Sequence, residues 1–364
     1  MSKMLPLVKV SLPESNILMP SLEKVLYSGM IAEGDSVYTF ERLFSEKFGL
    51  QNGIAMSSGT AALHTALVLS EVGISDEVIT TSMTAEPTNT TILQTGAKPI
   101  FADVDVENGN ILVSSIEEKI TEKTKAILVV HYAGYPVDIK RIRKLADKHN
   151  LLLIEDCAHA LGATFENKYV GTFGDFSIFS FQAIKHLTTI DGGFLSMKDG
   201  KKLRIAKQVR WFGLEKGVDR TQANITRQGY KYNMNNVAAE IGISQLKTID
   251  IRLNKYKENG KYYNENIAKI SGLKSAKILT GAEPSFWLYT LLCEEPDNII
   301  ECLKKIGVMA SKLHRPNHLH KIFGNGVQKL PYLDEFYKQM VHIPCGWWVR
   351  EEDRENIINC LSLG

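Results

Sequence analysis

SIFSFQAIKHLTTIDGG, residues 177–193, places one lysine, Lys185, directly after an apolar run that predicts a buried strand. A polar Thr-Thr turn and two glycines follow the lysine, and a second apolar run begins at Phe194. A lysine among apolar residues is a candidate for a lowered pKa and hence for a nucleophilic amine. The same pattern also suits a solvated lysine in a turn between two strands, because most lysines are exposed.

Upstream of this segment, short apolar runs alternate with amphipathic helices. The predicted strands cover residues 78–81, 99–104, 126–131 and 151–155. Strands that are apolar throughout and alternate with helices predict an α/β fold with a mostly parallel sheet covered on both faces. The pattern changes after residue 197. We therefore predict an N-terminal arm and a large domain over residues 1–248 and a smaller C-terminal domain over residues 249–364.

The composition of the 364 residues is that of an ordinary globular protein, with 44% hydrophobic and 23% charged residues. A formal net charge of +2 gives no argument for a nucleic-acid partner or an anionic membrane surface. No apolar run has the length to span a bilayer, and no signal peptide opens the chain. The five scattered cysteines contain no CxxC pair and predict reduced, buried thiols. These features predict a cytoplasmic protein with no nucleic-acid and no membrane partner.

The turn Ser57-Ser58-Gly59-Thr60 joins a short predicted strand to an Ala- and Leu-rich helix. Glycine lets the backbone approach a ligand closely, and the free amides of a helix N-terminus attract a phosphate. A serine-rich helix cap without any ligand is the alternative interpretation.

Two carboxylates, Glu155 and Asp156, end the apolar run Leu151–Ile154. Open α/β sheets bind ligands at the carboxyl ends of their strands, so one of the two is expected to face a site and the other to face away. A buried carboxylate needs a partner to stay ionised, and a heterocyclic N–H⁺ would provide one. An exposed acidic turn is the alternative.

Ser180 and Lys185 complete a pattern that suits pyridoxal phosphate. The helix N-terminus and the Ser180 hydroxyl would hold the phosphate, a carboxylate would pair with the pyridinium nitrogen, and the lysine would form the Schiff base. Lys185 follows Asp156 by 29 residues. The order of phosphate turn, carboxylate and lysine is more specific than any one of these features.

With these motifs the chain resembles the DegT/DnrJ/EryC1/StrS family of sugar aminotransferases, within the fold-type I pyridoxal phosphate enzymes. The resemblance covers nearly the whole chain. Its motifs are Ser57–Leu63, Gly96–Asp105, Glu155–Ala163, Phe179–Gly193, Gly229–Met234, Ile343-Pro344 and Glu351–Asp353.

The resemblance implies a large domain with a mostly parallel seven-stranded sheet between helices and a smaller C-terminal α/β domain. It implies that Lys185 is the cofactor-binding lysine and proton shuttle, and that Asp156 pairs with the ring nitrogen. The further cofactor-binding residues that it implies are Gly59, Thr60, Ala85, His159, Ser180 and Asn233. Asn233 lies in a segment that the family inserts into the neighbouring subunit's site, so a homodimer with shared active sites is expected, and no metal is expected.

Two departures from the family pattern stand out. Ala85 occupies the position at which the family usually has an aromatic residue stacked on the cofactor, and neighbouring Glu86 is a candidate for lining the site. Asp191 replaces a glutamate in the usual Gly-Glu-Gly-Gly motif.

Two basic groups also remain ambiguous. Arg204, Lys207, Arg210 and Arg227 would meet a substrate diphosphate or form a solvated helix face, and the loop with His314, Arg315, His318 and His320 is expected near the mouth of the site.

Lys185 also separates two reactions within the family, because 3-dehydratases carry histidine where aminotransferases carry lysine. The expected reaction is transfer of an amino group from L-glutamate, which becomes 2-oxoglutarate, to a nucleotide-linked keto-6-deoxysugar, with a 4-keto sugar favoured. Pyridoxamine phosphate would link the two half-reactions. The alternatives are a nucleotide-sugar 3-dehydratase and a non-catalytic regulator that binds a sugar nucleotide.

Overall fold

A computed structural model describes residues 4–363 of the chain. Its α-helices, in chain order, are α1 Ser15–Leu26, α2 Asp35–Phe48, α3 Gly59–Leu69, α4 Glu86–Gln94, α5 Val113–Lys119, α6 Ile139–Lys148, α7 Leu203–Arg210, α8 Asn236–Leu246, α9 Ile249–Ile267, α10 Pro296–Lys305, α11 Pro331–Gln339 and α12 Glu351–Leu363. Its strands are β1 Ile54–Met56, β2 Glu77–Thr81, β3 Lys98–Ala102, β4 Thr124–Val130, β5 Leu152–Asp156, β6 Thr164–Phe165, β7 Lys168–Tyr169, β8 Phe176–Ser180, β9 Gly193–Met197, β10 Lys274–Ser275, β11 Ala282–Glu283, β12 Tyr289–Leu292 and β13 Met340–Ile343.

Seven strands form the central sheet in the order β1-β9-β8-β5-β4-β2-β3. Strand β9 is antiparallel to both of its neighbours, and the other adjoining pairs are parallel. The predicted α/β fold with a mostly parallel seven-stranded sheet is therefore confirmed. The register pairs Val130 with Asp156 and Asp156 with Ile178. It thus brings the carboxyl ends of three parallel strands to one edge.

The amphipathic helix α2 supports the strand that leads to Lys185. The Phe44 ring lies 5.0 Å from that of Phe181 and 4.6 Å from that of Phe194, measured between ring centroids. All three side chains are fully buried. Removing one such ring typically costs about 3–5 kcal/mol, so this cluster holds β8 and β9 firmly against the helix layer.

The C-terminal part contains a three-stranded antiparallel sheet in the order β10-β12-β13, and a further small sheet joins β11, β6 and β7. The arm reaches this part, because Leu5 pairs with Val308 and the Trp348 indole donates a hydrogen bond to the Pro6 carbonyl at 2.9 Å. The domain boundary predicted at residue 248 falls immediately before α9 and stays a prediction.

Cys302 on α10 and Cys360 on α12 form a disulfide, with their Cα atoms 6.5 Å apart. The prediction of five reduced thiols is therefore wrong for this pair, since a separation of 58 residues gives no sign that the two helices are neighbours. Cys157, Cys293 and Cys345 are free and buried. Between residues 4 and 363, no helix is both long enough and apolar enough to cross a membrane.

Candidate active site

A cavity of about 400 Å³ opens at the carboxyl edge of the central sheet, where β5 and β8 end and α3 and α4 begin. Open α/β sheets bind their ligands at this edge. The cavity wall brings together seven of the eight predicted site residues, namely Gly59, Thr60, Ala85, Asp156, His159, Ser180 and Lys185. Glu86 also lines it.

The N-terminus of α3 forms one wall of the cavity. Ser58 caps this helix, with its hydroxyl accepting a hydrogen bond from the Ala61 amide at 3.0 Å. The first amides of a helix have no acceptor within it and, together with the helix dipole, favour an anion. A Cβ at Gly59 would lie 2.9 Å from the Cβ of Ser180, so only glycine lets the end of β8 approach the turn this closely. The turn at Ser57–Thr60 can therefore be both a helix cap, through Ser58, and a phosphate-binding site, through the free amides of α3.

Asp156 faces the cavity from the end of β5 and is buried. Its carboxylate accepts hydrogen bonds from the Thr88 hydroxyl at 2.9 Å and from the Ala158 amide at 3.0 Å. Burial raises the pKa of Asp156, whereas these hydrogen bonds and the charge of Lys185 oppose the rise. A buried carboxylate in this condition gains from a cationic partner such as a protonated ring nitrogen.

Glu155 points to the opposite face of β5, as alternation along a strand requires. Its two oxygens accept four hydrogen bonds, at 2.5 to 3.1 Å, from His131 Nε2 and the amides of Gly171, Phe173 and Gly174. The strand pattern alone leaves open which of the two carboxylates faces the site, whereas the family resemblance implies Asp156, and the structure places Asp156 in the cavity wall. The alternative of an exposed acidic turn is wrong, because both carboxylates are buried.

His131, Glu155 and Cys157 form a buried group whose possible ligand atoms lie within 4.8 Å of one another. The Nδ1 atom of His131 accepts a hydrogen bond from the Val137 amide at 3.2 Å, and the Glu155 carboxylate already accepts four. Donors of the protein itself thus occupy these lone pairs. The group is a hydrogen-bonded network that holds the loop at residues 171–174.

Lys185 is partly buried in the cavity wall, and its Nζ atom lies 4.0 Å from the centroid of the Trp287 ring. Burial lowers the pKa of Lys185 to about 7, against the opposing effect of the Asp156 carboxylate. A large share of the side chain is therefore the free amine near neutral pH, which is the form that attacks a carbonyl carbon. The solvated turn lysine that the sequence also allowed is not what the structure shows.

Two imidazoles face the cavity beside the lysine. The His159 ring stacks on Trp287 with centroids 3.9 Å apart, and the His314 ring lies 6.0 Å from that of His159. Burial lowers the pKa of His159 well below 6.5 and that of His314 to about 4, so both rings are neutral. His159 Nδ1 and His314 Nε2 are buried without a hydrogen-bond partner among the described residues. Both nitrogens are therefore available to a ligand.

The remaining predicted residues lie outside this cavity. Asn233 is buried, and its side-chain oxygen accepts a hydrogen bond from the Lys231 ammonium at 2.6 Å. Arg210 is neither solvated nor free for a diphosphate, because it is buried in ion pairs with Glu33 at 2.6 Å and Glu41 at 2.7 Å. Arg204 and Lys207 line a separate cleft of about 370 Å³, which Arg210 also lines.

Sequence reasoning missed Thr88 and Trp287. Thr88 lies on α4, and no local signal shows that this helix packs against the end of β5. Trp287 lies in an apolar segment typical of a buried strand, so its pattern predicts a core residue. Of the predicted histidine loop, His314 lines the cavity. The His318 ring is buried elsewhere, with its Nδ1 atom 2.8 Å from the Ser82 hydroxyl.

Residues 14–362 match the model of the DegT/DnrJ/EryC1/StrS aminotransferase family. The chain belongs to this family. GDP-perosamine synthase of Escherichia coli O157:H7 is 34% identical over 316 residues, covering 86% of this chain and 85% of that protein. The UDP-4-amino-4-deoxy-L-arabinose–oxoglutarate aminotransferase of Shewanella sediminis is 31% identical over 386 residues. The match covers 99% of this chain and 98% of that protein.

Solved structures agree with this assignment. The sugar aminotransferase CalS13 from Micromonospora echinospora superposes with a TM-score of 0.95 at 33% identity, covering 99% of this chain and all of that one. A sugar aminotransferase from Streptococcus pneumoniae, solved in pyridoxal phosphate and pyridoxamine phosphate forms, superposes with TM-scores of 0.91 and 0.92 at 25% identity, covering 99% of this chain and 98% and 97% of those. This DegT/DnrJ/EryC1/StrS enzyme is thus a sugar aminotransferase of fold-type I, a class for which these cofactors are implied.

The cavity fits pyridoxal phosphate on its own features. Gly59 opens the helix N-terminus toward Ser180, which suits a phosphate. Asp156 is a buried carboxylate with no directly paired cation among residues 4–363, which suits a ring N–H⁺. His159 Nδ1 has no hydrogen-bond partner within the described part of the chain, which suits a hydrogen-bonding substituent of the ring. The Lys185 amine would bond to the carbonyl carbon of the cofactor.

Proposed function

We propose that this aminotransferase moves the amino group of L-glutamate to the keto carbon of a nucleotide-linked keto-6-deoxysugar, with a 4-keto sugar favoured. The products are 2-oxoglutarate and an amino sugar for a polysaccharide, a glycan or a secondary metabolite. The names of two relatives support this choice, since one is a GDP-sugar enzyme and the other an oxoglutarate aminotransferase of a 4-amino sugar.

Each residue of the cavity has a distinct task in this proposal. Gly59, Thr60 and Ser180 hold the cofactor phosphate, and Asp156 holds a positive charge on the ring nitrogen. His159 binds beside the ring, and the Lys185 amine carries a proton between the substrate carbon and the cofactor. When bound, pyridoxal phosphate supplies the electron sink and, as pyridoxamine phosphate, stores the amino group between the two substrates.

The presence of Lys185 in the cavity is the observation that carries the proposal. An amine with a pKa of about 7 exchanges between its charged and neutral forms at neutral pH, as a proton shuttle must. The family's 3-dehydratases have histidine at this position, and histidine cannot form the covalent bond to the cofactor carbonyl. Lysine therefore favours amino transfer over dehydration.

We further propose a homodimer with shared active sites. Among the described residues that line the cavity, Lys185 is the one lysine and no arginine is present, so the carboxylates of glutamate and the diphosphate require cations from beyond this wall. Exposed large apolar residues also concentrate near the N-terminus, at Val10, Leu12, Ile17, Met19, Leu26, Tyr27, Met30 and Ile31. Such a concentration is typical of a surface that another chain covers.

The substrate is tested with dTDP-, GDP- and UDP-linked 4-keto- and 3-keto-6-deoxysugars, each incubated with L-glutamate. The expected result is one aminated sugar per 2-oxoglutarate released, measured by mass spectrometry and by a coupled assay. Loss of a sugar hydroxyl without 2-oxoglutarate would instead identify a dehydratase. Amination of none of these sugars would contradict the proposal.

Shared sites are tested by mixing two inactive variants, Lys185→Ala and Asn233→Ala. In a dimer that shares its sites, random mixing leaves one intact site in half of the dimers, so roughly a quarter of the wild-type activity returns. No recovery, with dimers shown to exchange by sedimentation of differently tagged chains, would contradict the proposed contribution of Asn233 to the neighbouring site.

A further inference from the structure

One indole contacts both the proton-carrying Lys185 and the His159 ring. The Trp287 ring is buried, with the Lys185 Nζ atom 4.0 Å from its centroid. The His159 ring stacks on Trp287 at 3.9 Å and at an angle of 19° between the planes. Trp287 also lines the cavity, so it lies within reach of the reacting groups.

The position of this indole is tied to the lysine loop. Its Nε1–H donates a hydrogen bond at 3.0 Å to the carbonyl of Ile184, the residue before Lys185. The backbone of Trp287 is fixed as well, because a Cβ at Gly134 would lie 2.8 Å from the Trp287 amide nitrogen. The backbone around Gly134 and that around Trp287 therefore pack without room for a side chain between them. A displacement of the indole therefore moves the lysine loop as well.

Backbone strain accompanies the placement of Trp287. Phe286, the preceding residue, has φ +48° although its side chain is bulky, and Ala133 on the facing loop has φ +53°. Two hydrogen bonds join these loops, from the Ser285 amide to Gly134 at 3.0 Å and from the Leu288 amide to Ala133 at 3.2 Å. Left-handed conformations of such residues persist only where the surroundings impose them, and they cluster at functional sites.

From this geometry we infer that Trp287 is a positioning residue, whose ring holds the Lys185 amine whenever it is not covalently bound and keeps the His159 ring fixed beside it. The electron-rich face of an indole attracts an ammonium, most strongly where water is excluded. The inference rests on the proposed function of Lys185 as the proton carrier. The other titratable groups near Lys185 are Asp156, His186 and His314.

The role also distinguishes Trp287 from an aromatic residue that would cover the cofactor. The Lys185 ammonium and the His159 ring both lie against the Trp287 ring. Its task is therefore to hold the two side chains, while the cavity wall at Ala85 stays open.

The contact is tested first in the cofactor-free protein by tryptophan fluorescence as a function of pH. Protonation of Lys185 changes the charge above the indole, so the wild type is expected to show a transition near pH 7. Lys185→Met and Trp287→Phe should each abolish this transition. Trp347→Phe is the matched control. The Lys9 Nζ atom lies 4.9 Å from the centroid of the Trp347 ring, but Trp347 does not line the cavity. This variant should therefore keep the transition.

The positioning role is tested second by kinetics. Misplacement of a reacting group by about 1 Å costs up to about 100-fold in rate, so Trp287→Leu should lower kcat by about 10- to 100-fold with KM within about threefold. Trp287→Phe, which retains a ring, should recover part of the loss. A transition that survives in Lys185→Met, or equal losses in kcat for Trp287→Phe and Trp287→Leu, would overturn the inference. Because the fluorescence needs no substrate, it stays decisive even if no ketosugar is aminated.

Discussion

The two faces of strand β5 carry adjacent buried carboxylates with opposite fates. Glu155 accepts four hydrogen bonds, so its charge is fully matched by donors of the fold. Asp156 accepts two, and burial raises its pKa. Both residues are buried and both end the same strand, so burial and position alone do not mark the functional one. The marker is the number of hydrogen-bonding positions that the protein leaves unfilled.

The same contrast extends to the histidines on either side. His131 uses both ring nitrogens, toward Glu155 and the Val137 amide. Beside Lys185, the Nδ1 atom of His159 has no hydrogen-bond partner among the residues that the structure describes. Incomplete satisfaction of buried polar groups costs stability, and a fold tolerates it where a ligand completes the set. The cavity side of β5 is thus organised for a ligand, whereas the opposite side is organised for the fold.

The largest effect is expected from Lys185→Ala, which removes the amine from the cavity side. Transamination should fall by at least about 10⁴-fold, because both the covalent bond to the cofactor and the proton shuttle are lost. The measurements are 2-oxoglutarate release from glutamate and the visible absorption of a lysine-bound cofactor. Lys198→Ala, at an exposed position just after β9, is the control and should retain both. A Lys185→Ala enzyme with normal turnover would remove the basis of the comparison.

The second prediction exchanges the two carboxylates for amides. Asp156→Asn should lower kcat by about 100-fold or more, since a neutral amide no longer stabilises a charged ring nitrogen, with little loss of stability. Glu155→Gln should keep kcat within about threefold but lose about 2–4 kcal/mol of unfolding free energy, because its amide group meets four donors. Urea unfolding and steady-state kinetics on both variants measure this. The reverse pattern would show that the two faces are wrongly assigned.

The general architecture follows from local signals. Apolar strands predict the sheet, and parallel strands bring their carboxyl ends together, so the sequence alone leads one to expect Gly59, Asp156 and Lys185 at one edge. The strand pattern itself does not decide between Glu155 and Asp156, since alternation places them on opposite faces without saying which face carries the ligand. Only the family resemblance implies Asp156.

Residues brought in by tertiary packing were beyond prediction. Thr88 and Trp287 reach the cavity through contacts between elements distant in sequence, and their local patterns are those of an ordinary helix turn and an ordinary core strand. The Cys302–Cys360 disulfide likewise joins elements distant in sequence and carries no local signal. The sequence predicts the histidine loop only near the mouth of the site, because a run of histidines does not indicate that the His314 ring turns inward.

The third prediction concerns acid stability, and it sharpens the contrast among histidines. Burial without a carboxylate partner lowers the pKa of His186 and His342 to about 3, against about 6.5 for an unfolded histidine. Between these values the unfolded chain binds protons that the folded chain does not, so the free energy of unfolding falls as pH falls. Each such histidine contributes a slope of about 1.4 kcal/mol per pH unit.

His342→Gln tests this slope. His342 contacts the Tyr132 hydroxyl at 2.8 Å and the Thr290 hydroxyl at 3.1 Å, and glutamine offers hydrogen-bonding atoms without titrating. Unfolding free energies measured in urea between pH 6 and pH 4.5 should fall less steeply in this variant, by about one proton. His149→Gln, at an exposed position, should leave the slope unchanged. An unaltered slope in His342→Gln would mean that this ring is protonated in the folded state.

The smallest effect concerns the backbone on the two sides of β5. The loop bound by Glu155 uses a glycine, Gly171, at φ +91°, whereas the turn after Lys185 places Ile190 at φ +74°. A β-branched residue in this conformation costs about 1–3 kcal/mol, and glycine costs about 0.5–1 kcal/mol through the unfolded chain. Ile190 is 56% exposed, so little packing offsets the strain.

Ile190→Gly should therefore raise the unfolding free energy by about 0.5–1 kcal/mol, because it removes the strain from a turn that hydrogen bonds already define. The Ile190 amide donates to the Thr188 hydroxyl at 2.8 Å, and the Phe181 amide donates to the Gly192 carbonyl at 2.8 Å; both bonds survive the change. Ile225→Gly, also 56% exposed but without a left-handed backbone, should lose stability instead. A destabilised Ile190→Gly variant, with Ile225→Gly behaving alike, would contradict the assignment of strain to this turn.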